Sequence, residues 1–141
     1  MQTYTSIFGE FQVDEENVIT FPQGIPGFSE LRRFVILPHA ENSPVHFLQS
    51  LDDTDISFVI TKPQNFFPDY QVTVEQTDMA ELGLQDISEA LVFAILVVAS
   101  APRDITANLL APVLINPHNK SGKQVVMSGD RYTTGHRLFD R

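Results

Sequence analysis

The stretch Leu91-Val-Phe-Ala-Ile-Leu-Val-Val-Ala99 is apolar at every position. It is far shorter than the roughly 20 residues that cross a bilayer as a helix. Its β-branched content fits a central strand buried on both faces, with a buried helix as the competing reading. Upstream, Ile56-Ser-Phe-Val-Ile-Thr61 alternates cleanly: Ile56, Phe58 and Ile60 share one face, Ser57 and Thr61 the other. Val72 and Val74 alternate in the same way with Gln71, Thr73 and Glu75. Residues 34–37 and 45–51 are further strand candidates. Downstream, residues 109–116 read as a strand, residues 117–122 as a turn, and residues 124–127 as the returning strand of a hairpin. Nine prolines punctuate the chain and leave little room for helix between Pro22 and Pro68. One short helix is expected, with Thr77 or Asp78 as its cap, a turn from Met79 to Leu82, and Gly83 as a left-handed stop. A second helical turn is expected near Ser88. No repeat, linker or low-complexity tract divides residues 1–141. The chain therefore reads as a single domain, mainly β: a small antiparallel barrel or two-sheet roll with one or two short helical turns, because closure hides strand edges.

The chain has 141 residues, no cysteine and a formal net charge of −9. A chain of this length can bury about 70% of its unfolded surface and needs no disulfide or metal to hold it together. Residues 1–90 carry 15 acids against Arg32, Arg33 and Lys62, whereas residues 91–141 carry three acids and six bases. Such a field repels phosphate backbones and anionic lipid, so no direct nucleic-acid or membrane partner is expected. It favours encounter with a basic protein. The N-terminal residues have neither the basic nor the apolar segment of a signal peptide, and the absence of cysteine fits a reducing compartment. A cytoplasmic location is the expectation.

The residue pattern gives little support for catalysis. His39, His46, His118 and His136 lie far apart, and no pair has helical metal-ligand spacing. Asp52-Asp53-Thr54-Asp55 lacks the central glycine and distal glutamate of a calcium loop, and its place between Leu51 and Ile56 suits a hairpin turn. No nucleophile elbow or phosphate-binding glycine loop occurs. Gly24-Ile-Pro-Gly-Phe28 fits a tight turn presenting Ile25 and Phe28. Neither cofactor nor metal is expected, and the chain reads as a binder rather than an enzyme. Lys62-Pro-Gln-Asn-Phe-Phe-Pro-Asp-Tyr70 carries two readings. It is either a proline-stiffened aromatic anchor for a partner or a loop that plugs the barrel end with phenylalanine.

Several segments, in one order over most of the chain, resemble the FliW family. They are Phe21-Pro-Gln-Gly-Ile-Pro-Gly-Phe28, Phe47-Leu-Gln-Ser50, residues 62–70, Thr106-Ala-Asn-Leu-Leu-Ala-Pro-Val-Leu-Ile-Asn116, and Gly122-Lys-Gln-Val-Val126 followed by Tyr132 and His136. Lys62 departs from the pattern, since an acidic residue is expected before that proline. The resemblance implies a cytoplasmic flagellar assembly factor that binds CsrA, a basic RNA-binding translational repressor, and antagonises it allosterically. It also implies flagellin binding, in a partner switch that regulates flagellin synthesis. The alternative is a flagellin chaperone or export adaptor without a translational role. For the basic partner, charge and expected exposure single out Asp52, Asp53, Asp55, Asp69 and Glu75. Phe67 and Tyr70 are the candidate aromatic anchors.

Overall fold

The structure, a computed structural model, describes residues 2–139. In chain order its strands are β1 (Gln2–Ser6), β2 (Gly9–Val13), β3 (Ile19–Thr20), β4 (Arg33–Pro38), β5 (Val45–Ser50), β6 (Ser57–Thr61), β7 (Leu91–Val97), β8 (Thr106–Ala107), β9 (Val113–Asn116), β10 (Ser121–Gln124) and β11 (His136–Arg137). One helix, α1 (Gln76–Leu82), precedes β7. Seven strands close a barrel in the order β7-β6-β5-β4-β3-β10-β9, with β9 pairing back onto β7. Every ladder of the barrel is antiparallel except the single β3–β10 pairing. Of the two mainly β architectures expected, barrel or two-sheet roll, the barrel is the observed fold, and residues 91–97 form a strand rather than a buried helix.

The two-sided burial of β7 has a direct cause. Phe93 and Ile95 point into the barrel, where they join Ile19, Phe21, Ile25, Phe34, Leu48 and Ile60. Ala94 and Leu96 point outward and pack with Tyr70, Ala107, Leu109, Met127 and Leu138. Four pieces of chain thus cover the outside of the barrel. The β1–β2 hairpin lies over β4 and β5 through Tyr4, Phe11 and Val13 against Val35, Leu37 and Leu51. Residues 66–70 and the C-terminal segment cover β7 and β8. Helix α1 sets Met79 and Leu82 on Leu114 and Val125, and Lys123 of β10 pairs with its Asp78 (2.6 Å) and Glu81. Beyond Leu96, Val97 and Val98 are exposed.

The segment expected as one strand over residues 109–116 is interrupted. β7 pairs Leu96 and Val97 with Ala107 and Thr106, but Leu91 to Phe93 with Ile115 to Val113, so three extra residues on the partner side loop out. This bulge would strand several backbone groups, and each finds a partner. The N–H groups of Leu109 and Leu110 donate to the Thr133 carbonyl, and that of Ala111 to Asn108 Oδ1. The Leu109 carbonyl accepts from the Tyr70 hydroxyl at 2.7 Å.

Other expectations shift by a few residues. Residues 71–75 alternate in burial but join no ladder, because the Gln71 and Thr73 N–H groups bond to Tyr132 Oη and Met127 Sδ. The hairpin after β9 returns at Ser121, not residue 124. Helix α1 starts two to three residues earlier than Thr77 or Asp78 as cap implies, with Glu75 in the cap position, and stops at Gly83 in the left-handed region (φ 72°). The second turn is a 3-10 turn, Ile87–Glu89, closed by a capping box between Asp86 and Glu89. The β1–β2 hairpin and β3 had no clear signal in the sequence.

Candidate protein-interaction surface

The connection from β5 to β6 is built from below by the two residues that precede it. Ser50 Oγ accepts the N–H groups of Asp52 (3.2 Å) and Asp53 (3.0 Å). Gln49 is fully buried, and its side-chain amide donates toward the carbonyls of Ser50 (2.9 Å), Thr54 (3.1 Å) and Ile56 (3.2 Å). An amide has two hydrogens, so these three acceptors share them. The turn expected at residues 52–55 therefore exists and is templated by side chains. Its three aspartates are not equivalent. Asp52 Oδ2 accepts from the backbone N–H of Arg32 (2.7 Å) and Arg33 (3.0 Å), which ties the turn to the start of β4. Asp53 accepts from the Asp55 N–H at 3.1 Å, and the carboxylates of Asp53 and Asp55 remain exposed. Neither forms an ion pair among the described residues.

Residues 27–31 lie against this turn. The partly exposed Phe28 ring stands edge-on to Phe58 at 5.3 Å. Phe28, Glu30, Leu31, Asp53 and Ile56 line a shallow depression of about 190 Å³. Ile25, expected to be presented with Phe28, is instead a buried core residue. The surface thus combines an apolar floor with the acids Glu30, Asp53 and Asp55. Arg32 and Arg33 flank it through the chain that holds Asp52. Phe28 and Glu30 were not placed with the aspartates by sequence, since more than twenty residues separate them and no periodicity links them.

The remaining candidate residues lie elsewhere. Strand β6 separates the acidic turn from residues 62–70 by roughly 15 Å at about 3.3 Å per residue. Tyr70 is buried and its hydroxyl is bonded to Leu109, so it is a packing residue and not an accessible anchor; burial, with Tyr132 adding to it, pushes the phenol pKa well up. Phe67 is half-buried with its ring 5.9 Å from that of His136, and Phe66 meets Phe139 at 5.9 Å. Both phenylalanines pack on the outer face of β7 and β8, so the loop covers the side of the barrel rather than plugging its end. Asp69 and Glu75 are exposed, Glu75 at the head of α1. No cluster of three or more potential metal ligands occurs among the described residues.

Comparison with known proteins sets this geometry in a family. The profile of a family described as FliW protein matches residues 2–138. The flagellar assembly factor FliW of Natranaerobius thermophilus is 39% identical over 134 residues, covering 94% of this chain and 89% of that protein. The corresponding Clostridium botulinum protein is 39% identical over 139 residues, with 99% and 97% covered. A crystal structure titled as the flagellar assembly factor FliW superposes with a TM-score of 0.92 at 34% identity, covering 99% of both chains.

Proposed function

The chain belongs to the FliW family of flagellar assembly factors, and on that premise we propose that it is a binding regulator with no catalysis of its own. It docks on the basic RNA-binding repressor CsrA, weakens that protein's hold on flagellin messenger RNA from beside the RNA site, and is withdrawn when flagellin competes. The reaction to be regulated is translation, which places the protein in the cytoplasm. No helix among the described residues is long and apolar enough to cross a membrane.

The observation that carries the reading is the acidic turn. Its backbone is held by buried Gln49 and by Ser50, while Asp53, beside Glu30 and Phe28, and the neighbouring Asp55 remain exposed. A preformed surface loses little conformational freedom on docking. Complementary charge raises the association rate with a basic protein and selects against acidic ones.

The test is a reconstitution with purified CsrA, flagellin messenger RNA and flagellin, followed by complex size and RNA binding. The expected outcome is that the protein binds CsrA, releases the RNA, and is displaced by flagellin. Replacing Asp53 and Asp55 together by lysine should weaken CsrA binding about tenfold or more. Binding to flagellin alone, with the CsrA–RNA complex left intact, would overturn the regulatory reading in favour of an export adaptor.

A further inference from the structure

We infer that the β1–β2 hairpin is a docking arm whose tip, Ile7 and Phe8, inserts into an apolar recess on a positively charged protein, with the acids of the arm facing that protein's basic surface. The inference rests on the proposed function for its partner, CsrA.

The arm is a ribbon in full antiparallel register from Gln2–Val13 to Ser6–Gly9, and neither strand pairs with any other. A two-stranded ribbon has little stability by itself. This one is held by its inward residues on the outside of β4 and β5. Its tip is not explained by its turn. The turn needs a residue that tolerates positive φ, and Gly9 (φ 90°) supplies it. Residues 7 and 8 occupy positions where polar turn-formers serve best, yet the sequence places Ile and Phe there. Ile7 is 74% exposed, the highest value for a large apolar residue among those described. Phe8 is 45% exposed and rests on Phe47, ring centroids 4.4 Å apart, with His39 beyond at 5.8 Å. The fold therefore supports Phe8 from beneath and leaves Ile7 projecting.

Charge selects the occupant. Residues 2–31 contain five acids and no lysine or arginine. Glu10, Asp14, Glu15 and Glu16 belong to the arm and the single 3-10 turn that follows it, and none forms an ion pair among the described residues. An apolar tip on an arm that has no lysine or arginine and carries its acids at Glu10 and at the base (Asp14, Glu15 and Glu16) fits a basic surface with a recess. It disfavours a second copy of this chain, whose net charge is −9. Position adds to this. The arm meets β5 at Phe47 through its tip and meets Leu51, the residue just past β5, through the cluster at its base; Leu51 adjoins the acidic turn. Arm and turn thus lie along one strand and can face one partner together.

The test measures association and dissociation of purified CsrA with the wild-type protein, with Ile7→Ser, and with the Glu15→Lys, Glu16→Lys double variant. Thermal unfolding of each variant is followed in parallel. Ile7 makes so little contact within the fold that Ile7→Ser should unfold as the wild type does, yet bind about tenfold more weakly, mainly through faster dissociation. The double variant should associate several-fold more slowly and with a shallower dependence on salt. If the wild type binds CsrA and both variants match it, the arm is outside the interface and the inference falls while the functional reading stands. If the wild type does not bind CsrA at all, the functional reading falls and takes the inference with it.

Discussion

At the scale of single residues, side chains that looked free for a partner turn out to be spent within the fold. The Tyr70 hydroxyl satisfies the carbonyl of Leu109, which the bulge between β8 and β9 would otherwise leave buried and unpaired. Tyr70→Phe keeps the ring and removes that donor, so it should cost about 1–2 kcal/mol of stability. The check is a lower denaturant midpoint at unchanged slope; an unchanged midpoint means that the bond contributes nothing. Gln49 is the counterpart on the candidate surface. Gln49→Leu preserves bulk but takes two hydrogens from three carbonyls of the acidic turn, so amide exchange at Asp53 and Asp55 should accelerate while Ile115 in the core stays protected. Equal protection at all three would remove Gln49 from the account. The sequence put Tyr70 among partner contacts because Leu109, which uses its hydroxyl, lies 39 positions away. It read residues 52–55 correctly as a turn, since aspartate there follows local backbone chemistry. It could not tell Asp52, bonded to the backbone of Arg32 and Arg33, from Asp53 and Asp55, although all three are exposed.

At the scale of elements, the strands with strong alternation and the helix stop were legible, and their boundaries less so. Gly83 ends α1 in the left-handed region, and a Cβ there would lie 2.9 Å from Asn119 Nδ2. Gly83→Ala should therefore cost about 1 kcal/mol or somewhat more, read as a fall in midpoint. The 3-10 turn before β7 gives a pH signature. The backbone N–H and the side chain of Ser88 both hydrogen-bond the Asp86 carboxylate and hold its pKa below the ordinary aspartate value. A pKa depressed in the fold contributes stability above the unfolded value, about 3.9, and loses it as pH falls through the folded value. Asp86→Asn should thus melt below the wild type at neutral pH, and the difference should shrink below about pH 4. Parallel melting curves across that range would remove the carboxylate from the account. The β1–β2 hairpin escaped the sequence reading because Gln2–Ser6 offers a single aromatic among polar residues, and its apolar face exists only against Val35 and Leu51.

At the scale of the whole molecule, electrostatics make the broadest prediction. With a net charge of −9, association with CsrA should slow steeply as ionic strength rises from about 0.05 to about 0.3 M, while dissociation changes less. A salt-independent association rate would mean that docking is not steered by charge. The sequence by itself determined the strand-rich fold, the helix stop at Gly83, the turn at residues 52–55 and the acidic balance. Each of these is written in local periods, in backbone preferences of single residues, or in composition. The tertiary structure alone decided that β9 returns to β7 to close the barrel, and that three residues bulge out to be met by Tyr70, Asn108 and Thr133. It also decided that Phe28 and Glu30 join Asp53, and that an apolar tip projects from an arm with acids at its base. Those outcomes depend on contacts between distant parts of the chain, and no short-range pattern encodes which distant partner a buried hydroxyl, an open strand edge or an exposed ring will meet.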